Sequence, residues 1–239
     1  MNDTIQGFQE QVAGFKDPRQ LIEDRGYWKI VIHRKAFFRR KVASTSILRK
    51  LVGTYAVKTL PLKYPFLRNN DFAVGEDWLG IVDIKGHRRD SWRLYLSGLF
   101  VHYCAMFEDW IDRREDWDGI SPGDNDQLFA IGNSVRQLTS ILKFASQLSL
   151  SELGDDQMSV EIQISGLANR KLWFDSPSPS PPPEHRSHVP EGETYRFDRI
   201  LNSEELAERH QALALECAGN LFGLFDWHPD RRTIESLQR

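Results

Sequence analysis

The apolar residues of this chain keep two different periods in succession, and that switch limits what it can fold into. From Asp77 to Trp110 the period is two. Asp77 to Lys85 reads as a strand, Gly86 to Asp90 as a polar turn, and Ser91 to Leu96 as a second strand with Trp92, Leu94 and Leu96 on one face. Ser97-Gly98 interrupts the run and Leu99 to Phe107 resumes it, the pattern of an antiparallel meander. From Asp126 to Leu150 the spacing becomes helical: Leu128, Ile131, Val135, Leu138, Ile141, Leu142, Ala145 and Leu148 form one stripe, with Asp124, Asn125 or Asp126 as its cap. A second long helix, Glu204 to Phe225, is capped by Asn202 or Ser203 and carries Leu206, His210, Leu213, Cys217, Leu221 and Leu224 on one side. The expected class is α+β, a mixed, mainly antiparallel sheet packed against two long helices.

Shorter segments complete the plan. Tyr27 to Ala36 has the β-branched centre Ile30-Val31-Ile32 of a buried strand. Ser44 to Lys58 reads as a helix capped by Ser44 or Thr45, with Ile47, Leu48, Leu51, Val52 and Tyr55 in one stripe. Met158 to Phe174 is strand-like, Val160, Ile162 and Ile164 alternating with Glu161 and Gln163 before Gly166 turns the chain into Arg170 to Phe174. A short helix over Pro229 to Gln238 ends the chain. Residues 1–25 read as an amphipathic helical lead-in, with Ile5, Phe8, Val12 and Phe15 in helical spacing, able to dock on its own domain or on a partner. Residues 26–239 then form a single domain with a proline-rich loop at 176–192, whose prolines cannot donate to a regular ladder.

With 239 residues, 40% of them hydrophobic, a core can form without disulfide or metal. No apolar run approaches the roughly 20 residues that cross a bilayer, and Met1 to Glu10 lacks a secretory signal, so the expected location is the cytoplasm, with no membrane partner. Cys104 and Cys217 lie far apart in core-like segments. There is no glycine-rich phosphate loop, nucleophile elbow or zinc spacing, so no catalytic residue, cofactor or metal ligand is assigned and the reading leans away from an enzyme.

Charge is segregated along the chain. Arg25 to Asn70 holds twelve basic residues and no Asp or Glu; since the whole chain is at −3, the remainder carries −15. Such a distribution implies internal docking of basic on acidic surfaces, or an acidic or polyanionic partner. The candidate binding residues are Arg34, Lys35, Phe37, Phe38, Arg39, Arg40 and Lys41, joined by Arg49 and Lys50. Their cations suit an acidic protein surface, or phosphates with the two aromatics stacking on unpaired bases; Phe37 and Phe38 could equally anchor a solvated loop.

A second candidate is the polar set Arg93, Tyr95, His102, Glu108 and Asp109, threaded through the aromatic meander. His102 beside a carboxylate could act as a general base. The plainer reading pairs Arg93 with Glu108 or Asp109 and leaves Tyr95 and His102 satisfied at a core edge. A metal-dependent nuclease reading rests on Asp77 followed by Asp83-Ile84-Lys85, since alternation puts Asp83 and Lys85 on one strand face.

Five segments together resemble a bacterial domain found as the C-terminal part of Schlafen/AlbA-type DNA-binding, ATP-binding proteins. They are Tyr27 to Ile32, Trp92 to His102 with Glu108 to Trp110, Arg136 to Ala145, Gly166 to Trp173, and Leu221 to Trp227. The AlbA-type N-terminal region is missing here, so its DNA- or nucleotide-binding role is not carried over. The resemblance implies a companion or sensor module of a bacterial multi-component system, anti-phage defence being one such setting. The function expected is therefore a non-enzymatic interaction subunit docking a protein partner through its basic surface. A nucleic-acid-binding accessory module is the alternative, and a metal-dependent nuclease comes third.

Overall fold

The computed structural model of the chain describes residues 11, 22–59, 62–67, 71–84, 89–110, 127–175, 192 and 194–238. Within them the fold is α+β. Seven strands form one sheet: β1 (Tyr27–Arg34), β4 (Ala73–Val74), β5 (Trp78–Asp83), β6 (Asp90–Tyr95), β7 (Phe100–Ala105), β9 (Gln157–Ser165) and β11 (Thr194–Asn202). Their order is β11-β9-β1-β7-β6-β5-β4, and every neighbouring pair is antiparallel. Two ribbons stand apart from it. β2 (Val57–Thr59) and β3 (Leu62–Tyr64) pair antiparallel, whereas β8 (Leu128–Ala130) and β10 (Lys171–Trp173) pair parallel. The helices are α1 (Thr45–Tyr55), α2 (Ile131–Ser149), α3 (Ser203–Gly223) and the short α4 (Arg231–Ser236).

Strand alternation sends side chains to two faces, and here both faces are covered at the sheet centre. On one, Ile30, Ile32, Trp92, Leu94, Phe100, Val160, Ile162 and Ile164 join the apolar stripes of α1, α2 and α3 in the main core. On the other, Val31, Tyr95, Leu99, Val101 and Tyr103 form a second cluster with Ile22, which is fully buried. That explains the uninterrupted Ile30-Val31-Ile32: β1 is a central strand whose alternate residues enter different cores. Two described residues of the lead-in, Gln11 and Ile22, lie against this second face. The Tyr95 hydroxyl donates to the Gln11 carbonyl at 3.1 Å, and the Ser97 hydroxyl donates to Gln11 Oε1 at 2.7 Å. Ile5, Phe8, Val12 and Phe15 of the expected lead-in helix lie outside the described residues.

Several boundaries differ from the expectation. α1 ends at Tyr55, because the chain turns into β2 where a helix to Lys58 was expected. Gly166, at φ 75°, ends β9 and turns the chain into β10, which pairs with β8 and not with β9. β11 has no counterpart among the elements expected from the sequence. The proline-rich stretch from Ser176 to Glu191 lies outside the described residues.

α2 begins at Ile131, five residues after the expected start at Asp126, with Ala130 of β8 in the N-cap position; the expected caps Asp124, Asn125 and Asp126 lie outside the described residues. Its N-terminus is satisfied by carboxylates from elsewhere in the chain. Gly132 N and Asn133 N donate to the two oxygens of Asp175 at 2.6 and 2.8 Å, and Arg136 Nη2 donates to Oδ2 at 2.8 Å. Ala130 N donates to Glu108 Oε1 at 2.7 Å. A carboxylate there pairs with otherwise unsatisfied amides and with the positive end of the helix dipole. Asp175→Ala is expected to lower the unfolding free energy by about 1–2 kcal/mol, read from urea denaturation, and Asp175→Asn by less.

Candidate interaction surface

The basic segment leaves the sheet at the end of β1 and is pinned at both ends of its loop. Lys35 N donates to Gln157 O at 3.0 Å; further on, Lys41 N and Val42 N both donate to Leu96 O, at 2.6 and 3.2 Å. Arg34 is buried, 4% exposed, with Nη2 donating to Asp155 Oδ2 at 2.6 Å and its guanidinium 4.6 Å from the Phe38 ring centroid. Burial opposes charge on Asp155, but the bonds from Arg34 and Asp156 N outweigh it and hold the carboxyl below its ordinary pKa. Arg34 is therefore a buried anchor and sits apart from the outward-facing candidates.

The two phenylalanines divide the roles suggested for them. Phe37 is half-buried against the second apolar cluster, while Phe38 is 52% exposed. Lys35, Arg39, Arg40 and Lys41 are exposed around it. Arg40 reaches Glu76 at 3.3 Å, but both side chains are largely solvated, so the pair contributes about 0–1 kcal/mol. Arg49 and Lys50 lie on the outward side of α1, opposite buried Leu48, Leu51 and Val52, with the Arg49 guanidinium 5.0 Å from the Phe72 ring. The charge segregation is thus answered partly within the chain, by Arg34 with Asp155 and Lys29 with Glu161 at 3.1 Å. The exposed cations of the loop and of α1 remain directed outward.

The polar set of the meander does not come together. β6 and β7 align Trp92 with His102 and Arg93 with Val101, so Arg93 and Tyr95 face the second cluster while His102 faces the helices. The Arg93 guanidinium lies 4.1 Å from the Trp78 ring centroid, and burial raises the Tyr95 pKa. Glu108 and Asp109 sit in a 3-10 turn, Phe107–Asp109, beside β8. There the partner of Asp109 is Arg170, not Arg93: two nitrogens donate to its two oxygens at 2.9 and 2.6 Å, and Gly26 N donates at 2.9 Å. Arg170 also donates to Gly166 O at 2.5 Å and Leu128 O at 2.7 Å. Burial pushes the Glu108 carboxyl up to about 7, against the opposing pull of its backbone hydrogen bonds and Arg170. No spacing pattern in the sequence pointed to Arg170.

His102 does stand beside a carboxylate, that of Asp90, 3.0 Å from Nε2, and its Nδ1 lies 3.1 Å from the Tyr64 hydroxyl. Burial alone would lower its pKa. The Asp90 charge and hydrogen bond, with Cys104 alongside, outweigh that and raise it to about 10. Both side chains are nearly closed to solvent, at 1% and 2%. Asp83 is 7% exposed and faces buried Asp90 directly across the strand pair. Lys85 lies outside the described residues, and among those described no group of three or more His, Cys, Asp or Glu is placed to hold a metal ion.

Among the described residues, no helix is long and apolar enough to cross a membrane. No family model, curated protein or solved structure matches this chain.

Proposed function

We propose that the protein is a non-enzymatic interaction subunit that docks an acidic surface of a protein partner through Lys35 and Phe38 to Lys41, flanked by Arg49 and Lys50. The observation that carries this reading is Phe38: a half-exposed aromatic ring, framed by cations, on a loop whose course is fixed by backbone bonds at both ends. An aromatic anchor within a charged rim is how interfaces concentrate affinity and steer encounter. Pre-fixing the loop lowers the entropy lost on docking. The resemblance supplies the setting, a bacterial multi-component system.

Candidate partners are the products of neighbouring genes, titrated against the purified chain. Reversing three charges together, Arg39→Glu, Arg40→Glu and Lys41→Glu, should weaken binding about tenfold or more and flatten its salt dependence, as should Phe38→Ser by about tenfold. Unchanged binding in both variants would remove the surface from the interface. The exposed ring among guanidinium groups also fits stacking on an unpaired base, so generic single- and double-stranded DNA and RNA form the comparison. Affinity that falls steeply as salt rises would replace the protein partner with nucleic acid, and no binding at low salt would eliminate that alternative. Mg²⁺- or Mn²⁺-dependent cleavage abolished by Asp83→Ala would overturn the non-enzymatic assignment.

A further inference from the structure

The sheet finishes its two edges differently. At one, β4 is only two residues long, which offers little ladder to another chain. At the other, β11 runs nine residues and, among the described residues, pairs with β9 alone. Its alternation sends Tyr195, Phe197 and Leu201 into the core and leaves Arg196, Asp198 and Ile200 exposed on the opposite face, Ile200 at 59%. Charge on an edge strand ordinarily repels a neighbouring strand. Here the two charges are opposite in sign and two positions apart, so repulsion depends on what register the neighbour takes.

We propose that β11 is a homodimerisation edge, pairing antiparallel with β11 of a second copy about a two-fold axis at Phe197. Directly opposite residues of an antiparallel pair share a face and interact. About Phe197, Arg196 of each copy falls opposite Asp198 of the other, so one ion pair is made twice, and Thr194 falls opposite Ile200. The adjacent two-fold registers are unfavourable: an axis at Asp198 sets two carboxylates face to face, and an axis at Arg196 does the same with two guanidinium groups. A self-complementary patch is what an isologous dimer requires. The pairing joins two seven-stranded sheets into one, satisfies the outward ladder groups of β11 and covers part of Ile200.

Sedimentation velocity of the full chain over a wide concentration range tests this, and the readout, mass, is independent of any partner bound by the basic loop. A reversible monomer–dimer equilibrium is expected. Arg196→Asp or Asp198→Arg alone sets like charges opposite each other at two positions and should weaken dimerisation about tenfold or more. Combining the two substitutions exchanges the charges within each pair and should restore it. Both residues are exposed, so circular dichroism should stay as in the parent, and so should the unfolding midpoint when compared at concentrations where both chains are monomeric. A chain that is monomeric at every concentration overturns the proposal. So does a dimer indifferent to either single substitution, or one that the double exchange fails to restore.

Discussion

His102→Leu should lower the unfolding free energy by about 3–5 kcal/mol, because it removes one member of a buried, hydrogen-bonded charge pair and leaves the Asp90 carboxylate buried. The pH dependence separates this from a simple packing defect. The folded pKa of His102, about 10, lies above the ordinary value of 6.5, so the folded state holds the proton more tightly than the unfolded chain. The contribution is complete below pH 6.5 and is lost as pH rises through 10. Urea denaturation between pH 6 and 10 should therefore show the parent losing stability as pH rises, with that part of the slope absent from the variant. Replacing Asp90 by leucine as well should recover part of the loss, since a buried pair exchanged for apolar residues often costs little. A double variant weaker than His102→Leu alone would contradict this account.

The second large effect is expected at Arg170. Its guanidinium ties the 3-10 turn to the carbonyls of Gly166 and Leu128, and through Asp109 to Gly26 N, so four stretches distant in sequence meet at one side chain. Both members of the pair are closely buried, at 3% and 8%. Arg170→Met should cost about 3–5 kcal/mol, a fall in melting temperature of about 6–20 °C for a domain of this size. Arg170→Lys should recover little, because a point charge cannot reproduce the planar fork. Gly26 reinforces the point: a Cβ there would lie 2.2 Å from Arg170 Nη2, so Gly26→Ala should destabilise through the same contact. A shift under 2 °C for Arg170→Met would show that the node is replaceable.

What the sequence disclosed follows from the range of each signal. The β5-β6-β7 meander was legible because Trp92 and Leu94, like Phe100 and His102, alternate along their own strands, and the α2 stripe because Val135, Leu138, Ile141 and Leu142 repeat within one helix. The apolar alternation of Tyr195 and Phe197 was equally visible, but exposed Ile200 interrupts it next to the expected helix start, and β11 went unread. The split of the polar candidates was beyond local reading. Whether His102 shares a face with Arg93 depends on which residues align across the Ser97-Gly98 turn, and a shift of one residue exchanges every face. The Asp175 cap and the Arg170 node depend on positions far apart in the chain, where no period operates. Of the basic surface, composition indicated the charge; it could not distinguish Arg34, which folds inward, from Arg39 and Lys41, which do not.

The way the basic loop is held bears on how such a protein can change over generations. Its path is set by main-chain bonds at Lys35, Lys41 and Val42, none of which requires a particular side chain at positions 39 and 40, while the buried Arg34 guanidinium packs on the Phe38 ring. Under the docking function proposed above, mutations at positions 39 and 40 alter recognition at little expense to folding, whereas loss of Arg34 removes the buried partner of Asp155. Under that same proposal, selection for a new partner and selection for stability fall on different residues, so a lineage could exchange one binding partner for another while keeping the same fold.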